Sequence, residues 1–244
     1  MFLCRRCEHT TGVRFDKCPK CRRIGTAVRT AIRQHRRTLR LSEVESDVRE
    51  RILVRKDWDA ALGGPGERGV LEATIVFVVG RGGIGKTTDC LDIASRIGTA
   101  SRRPCAYASS EREIPDIRRQ ADKAGINTFP IIAQRVRTMR EVISFVETEQ
   151  PSGLILDSWS NLEDPHPNDL DELREVLGMS PSFVLHHVTK AGEMAGLSKL
   201  AHKADAIVWL YARKLRVTKN WHGPNLISVN RVLPKFKKPK KKKR

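Results

Sequence analysis

The chain has 244 residues, enough for one ordinary domain with an appendage or two small domains, and too few for a long multidomain machine. Hydrophobic residues make up 39% and charged residues 30%, a soluble globular composition without the run of about eighteen apolar residues that crosses a membrane. The formal net charge of +18 sits at the ends, with +10 over residues 1–40, −2 over 41–60, +2 over 61–234 and +8 over 235–244. Two strongly basic ends around a nearly neutral middle imply a polyanionic partner, nucleic acid above all, gripped by those ends. Two solvated, repelling tails are the plainer account of the same pattern. The start of the chain, Met1 to Arg6, is too short and reaches a cysteine too early for a signal peptide, so the expectation is a protein of the cell interior with no membrane partner.

Four of the six cysteines fall as Cys4-x2-Cys7 and Cys18-x2-Cys21, with ten residues between the pairs. Each pair can place two thiolates on one knuckle, and two knuckles complete the closed tetrahedral site of structural Zn²⁺. A module of this size buries little, so metal binding would supply its folding energy. Disulfides compete with zinc, but nothing marks the chain as secreted. Cys90 and Cys105 stand alone in apolar surroundings and read as small core residues. From Arg22 to Leu41, the near-helical spacing of Ile24, Val28, Ile32 and Leu39 among arginines predicts a basic helix, lying along a phosphate backbone or merely solvated. Residues 42–60 read as a second helix, broken by Gly63-Gly64-Pro65-Gly66. The expected organisation is a zinc ribbon over 1–25, a basic helical linker over 26–60, a core over 61–234, and a disordered polybasic tail over 235–244.

The run Thr74-Ile75-Val76-Phe77-Val78-Val79 has the length and composition of a buried strand and leads into Gly80-Arg81-Gly82-Gly83-Ile84-Gly85-Lys86-Thr87. This is GxxxxGK[ST] between a strand and an apolar helix. Gly80, Gly82, Gly83 and Gly85 let backbone N–H groups converge on phosphates, Lys86 reaches the β and γ oxygens, and Thr87, with Thr88 beside it, faces Mg²⁺. The pattern implies ATP and Mg²⁺; the alternative is a glycine-rich turn that binds nothing. Beyond it, strand-like runs alternate with helical patterns: Cys105–Ser109 then 113–124, Pro130–Ala133 then 138–149, Gly153–Asp157 then 168–178, and finally Ser182–His187. Alternation of this kind predicts an α/β fold, a mostly parallel sheet covered by helices. Asp157 ends an apolar strand where a second Mg²⁺-coordinating group belongs in such NTPases, although a strand-terminal Asp also caps turns. Glu111, just past the Tyr107–Ser109 strand, can serve as general base for water, or as a helix N-terminal acid. His187 and Thr189 follow another strand, where polar groups can sense the γ-phosphate.

These residues resemble the bacterial RadA/Sms DNA-repair ATPases of the RecA-like P-loop class. The segment His187-Val188-Thr189-Lys190-Ala191-Gly192-Glu193-Met194-Ala195-Gly196 is similar to that family's H-V-T-K-D-G-x-I-A-G. Tyr107-Ala108-Ser109-Ser110-Glu111 resembles Y-V-S-G-E, which implies that Glu111 is the catalytic glutamate. Leu156-Asp157-Ser158 resembles the Walker B strand end, and Lys219-Asn220-Trp221-His222-Gly223 looks like a degraded K-N-R-F-G. The resemblance implies a RecA-like core behind a four-cysteine ribbon in a DNA-stimulated, ring-forming ATPase, a homo-hexamer acting on single-stranded or branched DNA as a branch-migration helicase, in the cytoplasm of a bacterial or phage-infected cell. In such rings Lys219 would project into the neighbouring subunit's site. Three departures stand out: the family's C-terminal Lon-protease-like domain is not expected here, Arg112 replaces a second glutamate, and Trp221 replaces an arginine. A nucleotide-gated DNA-binding or loading protein with weak hydrolysis is the alternative. A DnaB-like replicative helicase core is another, opposed by the ribbon and the His187–Gly196 segment. GTPase signalling is disfavoured because Thr189-Lys190-Ala191-Gly192 lacks the aspartate that pairs with guanine.

Overall fold

The computed structural model describes residues 2–4, 10, 11, 19, 20, 22, 27–29, 50–63, 67–163, 165–188 and 197–232. The chain divides into two compact units, Met1–Val48 and Arg49–Arg244. In the first, β1 (Phe2–Cys4) pairs antiparallel with β2 (Thr10–Thr11) on one side and β3 (Ala27–Arg29) on the other. Cys4 ends the central strand of this small sheet. Cys7, Cys18 and Cys21 lie outside the described residues, as do the tail 235–244 and most of the expected basic helix. Within that expected helix, Ala27–Arg29 are a strand, with Val28 opposite Leu3. A ladder partner outweighs the weak helical preference of a short apolar repeat.

The second unit begins at Arg49, ahead of the core expected from residue 61. β4 (Arg51–Ile52) pairs antiparallel with β5 (Val70–Leu71), and only α1 (Lys56–Leu62) of the expected 42–60 helix is helical among the described residues. The reason is local. Asp59 Oδ1 accepts the Val54 N–H at 2.8 Å and Arg55 is extended (φ −157°), so the chain enters the helix only at Lys56. Trp58 is fully buried with its ring edge-on to Phe183, centroids 5.9 Å apart, which makes these residues core.

Thereafter the chain runs β6 (Ile75–Gly80), α2 (Lys86–Ser101), β7 (Cys105–Ser109), α3 (Ile114–Ala124), β8 (Ile131–Arg135), α4 (Met139–Glu149), β9 (Leu154–Asp157), α5 (Asp169–Leu177), β10 (Ser182–His187), α6 (Leu197–Lys203), β11 (Ala206–Leu210), β12 (Lys214–Asn220) and β13 (Ile227–Asn230). The sheet order is β13-β12-β11-β6-β10-β9-β7-β8. From β8 to β11 all neighbours are parallel, as the alternation predicts, while β12 and β13 add an antiparallel hairpin that the alternation does not predict. Both faces of the sheet are covered. Val76 and Val78 join a core with Leu91, Ile93, Ile97, Tyr107 and Phe183 on one side; Ile75, Phe77 and Val79 join Val142, Leu156, Leu170 and Val184 on the other. A strand buried on both faces has no polar side to show, which is why β6 reads as a continuous apolar run. Cys90 and Cys105 are buried core residues as expected, and burial pushes both thiols upward in pKa. Among the described residues no helix is long and apolar enough to cross a membrane.

Candidate active site

The parallel strands bring their carboxyl ends together, the edge of an open α/β sheet where ligands bind. β6 ends at Gly80 and its neighbour β10 at His187, which lie opposite each other in the ladder; β9 ends at Asp157, opposite Ser109 of β7. Between β6 and α2 the loop turns through Gly83 (φ 75°) and Gly85 (φ 95°), left-handed values that favour glycine. A Cβ built on Gly82 or Gly83 meets no heavy atom within 4 Å, so the outer side of the loop is an open cradle. α2 starts immediately behind it, with its positive end on the loop.

Lys86 is buried and curls over the loop. Its Nζ donates to Gly80 O at 2.8 Å and Arg81 O at 3.0 Å and lies 3.2 Å from His187 Nδ1. Burial lowers its pKa, opposed by the charges of Asp157 and Glu111. An ammonium only donates, which makes Nδ1 the acceptor and leaves the His187 Nε2–H to donate to Glu111 Oε2 at 3.0 Å. Glu111 is held by a tight turn in which Arg112 N–H donates to Ser109 Oγ (3.0 Å) and Ser109 Oγ donates to Arg112 O (2.7 Å). The same corner is tied to β9 by Ser110 N–H to Asp157 O (2.7 Å) and Ser158 N–H to Ser110 Oγ (2.9 Å).

Asp157 is the other pole. Its Oδ2 accepts from Thr87 Oγ1 at 2.9 Å and from the Tyr107 hydroxyl at 2.5 Å, while Oδ1 is buried without a hydrogen-bond partner. Burial raises its pKa, against the lowering effect of the Tyr107 and Thr87 bonds. A buried carboxylate oxygen left bare beside a threonine hydroxyl and an open phosphate cradle fits Mg²⁺, a hard cation that takes oxygen ligands and bridges to phosphates.

The structure therefore brings together Gly80, Gly82, Gly83, Gly85, Lys86, Thr87, Asp157, Glu111 and His187. Thr88 is buried with its hydroxyl accepting from Gln120 Nε2 of α3 at 2.8 Å. Lys219 is not brought to the site of its own chain. It stands opposite Ile207, which stands opposite Phe77 in β6, before the strand reaches Gly80. Its Nζ donates to Ala201 O (2.7 Å) and Ala204 O (2.5 Å) and sits 4.4 Å from the Trp221 ring centroid; Trp221 itself is 66% exposed. Thr189–Gly196, the later part of the family-like segment, lies outside the described residues. Among the described residues no group of three or more His, Cys, Asp and Glu side chains is placed to hold a metal, and three of the four ribbon cysteines, Cys7, Cys18 and Cys21, fall outside that set. Two participants were not legible in the motif: the phenol of Tyr107, hidden in a buried strand, and Arg231, described below.

Fold and site define an α/β protein with a phosphate loop at the carboxyl edge of a mostly parallel sheet. Its fold is similar to that of the KaiC-like protein of Pyrococcus horikoshii OT3 (TM-score 0.57, 15% identity, 75% of this chain and 94% of that one). It is likewise similar to flagellar accessory protein FlaH of Methanocaldococcus jannaschii (TM-score 0.58, 14% identity, 74% and 92%). In sequence the chain is RadA-like. It is 25% identical to DNA repair protein RadA of Aquifex aeolicus (strain VF5) and 26% identical to that of Chlamydia pneumoniae, over 91% of its length in each case. The figure for DNA repair protein RadA of Bacillus subtilis (strain 168) is 24% over the same share. These matches cover 55%, 54% and 55% of the relatives, so the chain spans about half the length of the curated relatives it matches. No family model matches it.

Proposed function

We propose that this chain is a Mg²⁺-dependent, DNA-binding ATPase of recombination or repair, working in a ring of subunits in the bacterial cytoplasm. The observation that carries the reading is the line Lys86–His187–Glu111 running beside Asp157, whose Oδ1 is bare, at the mouth of an open phosphate loop. The loop N–H groups and Lys86 bind the ATP phosphates, Lys86 exchanging its carbonyl and imidazole contacts for phosphate oxygens. Thr87 and Asp157 would hold Mg²⁺, which when bound neutralises phosphate charge and fixes its direction. Glu111 accepts the proton of the attacking water as the water oxygen bonds to the γ-phosphorus and the bond to the β-phosphate oxygen breaks, releasing ADP and phosphate. His187 holds Glu111 through its Nε2–H and orients it toward that water.

The finer parts of the proposal rest on sequence. Cys4, Cys7, Cys18 and Cys21 hold one Zn²⁺, supported by their spacing and by the place of Cys4 at the end of a small antiparallel sheet. The basic ends, residues 1–40 and 235–244, grip DNA phosphates without sequence preference. Lys219, remote from its own chain's loop, acts on a neighbour's site. One observation favours the second reading, a nucleotide-gated DNA-binding or loading protein: exposed Trp221, which cannot supply positive charge, stands where the related motif has an arginine. Turnover of ATP measured with and without single-stranded DNA, alongside mass in solution, tests the two. Slow turnover that rises with DNA and with protein concentration supports the ATPase ring. Nucleotide binding without turnover in a monomer supports the second reading.

A further inference from the structure

The phosphate loop is braced from behind by a residue far away in the chain. Arg231 follows β13, and its guanidinium is buried against the inner side of the loop (side chain 2% exposed). Nη1 donates to Ile84 O at 2.8 Å and to Tyr211 O at 3.2 Å, Nη2 to Gly85 O at 3.2 Å, and Nε to Asp89 Oδ2 at 2.8 Å. Asp89, in the first turn of α2, also receives Arg55 Nη1 on Oδ1 at 3.3 Å. Asp57 binds Arg55 through both oxygens (2.7 and 3.0 Å) and accepts the Val232 N–H at 2.7 Å. The start of α1, the first turn of α2 and the end of β13 are thus closed into one buried ionic network.

In a planar trans peptide the C=O of one residue and the N–H of the next point in opposite directions. Holding Ile84 O on the guanidinium, and Gly85 O on both the guanidinium and the Asp89 N–H of α2 (3.0 Å), therefore turns the Gly85 and Lys86 N–H groups to the other side of the loop. These are among the donors on which a phosphate loop depends. Gly85 has φ 95°, and a Cβ there would fall 2.8 Å from Arg231 Nη2, so the glycine also admits the brace.

We propose that Arg231 is a positioning residue of the nucleotide site, which sets the direction of the loop N–H groups from the carbonyl side. The proposal rests on the nucleotide reading above. The test compares, in the full chain, affinity for a fluorescent ATP analogue with Mg²⁺ and thermal unfolding for wild type, Arg231→Lys, Arg231→Gln, Asp89→Asn and the Arg231→Gln/Asp89→Asn pair. Arg231→Lys keeps a cation opposite Asp89 and so protects the fold, but an ammonium lacks the fork that spans two carbonyls and a carboxylate. Both Arg231 variants should bind the analogue at least about tenfold more weakly at temperatures where they are folded, and Asp89→Asn should not restore the loss in the pair. A purely structural arginine would move the melting temperature alone. Wild-type affinity in folded Arg231→Lys, or full recovery in the pair, overturns the proposal while leaving the nucleotide site in place. A wild-type chain that does not bind the analogue overturns the nucleotide reading and this proposal together.

Discussion

Two alanine substitutions in one loop should separate folding from binding. At Gly85 the backbone is left-handed (φ 95°), which costs a non-glycine residue about 1–2 kcal/mol. The new methyl would also stand 2.8 Å from Arg231 Nη2. The far end of an arginine usually moves aside, but this one is held by Asp89, Ile84 O and Tyr211 O, and releasing one charge-assisted bond costs about 1.5–3 kcal/mol. Together Gly85→Ala should lose about 2.5–5 kcal/mol, a fall of roughly 10 °C in melting temperature for a unit of this size. At Gly82 the methyl meets nothing within 4 Å, and φ is not in the left-handed range, so Gly82→Ala should melt within about 0.5 kcal/mol of wild type. That methyl nevertheless occupies the open side of the loop, and affinity for an ATP analogue should fall about tenfold or more, 1.4 kcal/mol. Thermal melts and fluorescence titrations read the two quantities separately. Wild-type nucleotide affinity in Gly82→Ala would refute the assignment of the open side to phosphate. A Gly82→Ala protein that melts as low as Gly85→Ala would refute the inside–outside distinction itself.

Lys86→Ala should weaken nucleotide binding and abolish turnover, whereas Glu111→Gln should bind nucleotide normally and lose turnover, because one contacts phosphate and the other acts on water; titration beside single-turnover assays decides. Burial holds the Asp157 pKa above its unfolded value, so its contribution to stability is present below the unfolded carboxylate pKa of about 3.9 and is lost as pH rises through the higher folded value. Asp157→Asn should therefore be more stable than wild type near neutral pH, with a margin that shrinks on acidification; a margin independent of pH in thermal melts counts against the burial argument. Trp221→Arg should raise turnover in an assembled protein, and mixing Lys219→Ala with Lys86→Ala should restore part of the activity if Lys219 serves a neighbour. An inactive mixture, with wild-type turnover independent of protein concentration, removes the trans role.

The parts legible in the sequence were those whose signal is local. Gly80 to Thr87 announces itself by spacing within eight residues, and the strands Cys105–Ser109 and Ser182–His187 stand out because burial on both faces leaves them mostly apolar or small side chains, with Tyr107, His186 and His187 the exceptions. β12 and β13 carry a weaker sign. Lys214 and Arg216 are exposed beside buried Leu215 and Val217, and β13 has only four residues, so the hairpin reads as polar chain until its partners are known. α1 is seven residues long, too short for periodicity to distinguish it from the extended chain before it. Arg231 reaches Gly85 across 146 residues, and no spacing rule joins them. Tyr107 is a buried phenol whose role depends on lying beside Asp157, which only the order of strands decides.

Two carboxylates near the phosphate loop show why burial alone does not identify a functional acid. Asp89 and Asp157 are 0% and 3% exposed. Asp89 lies in the first turn of α2, and both of its oxygens are engaged by guanidinium groups, Arg55 on one and Arg231 on the other. Its charge is cancelled where it stands, and nothing remains to offer a ligand. Asp157 has only neutral hydroxyls as partners, both on Oδ2, and Oδ1 faces no donor. A buried carboxylate oxygen without a donor is expensive unless a cation completes it, and in the proposed function that cation is the Mg²⁺ that arrives with the nucleotide. The difference lies in their partners: the acid already neutralised by arginine supports the loop, and the acid with an unpartnered oxygen is the one assigned to Mg²⁺ in the proposed function.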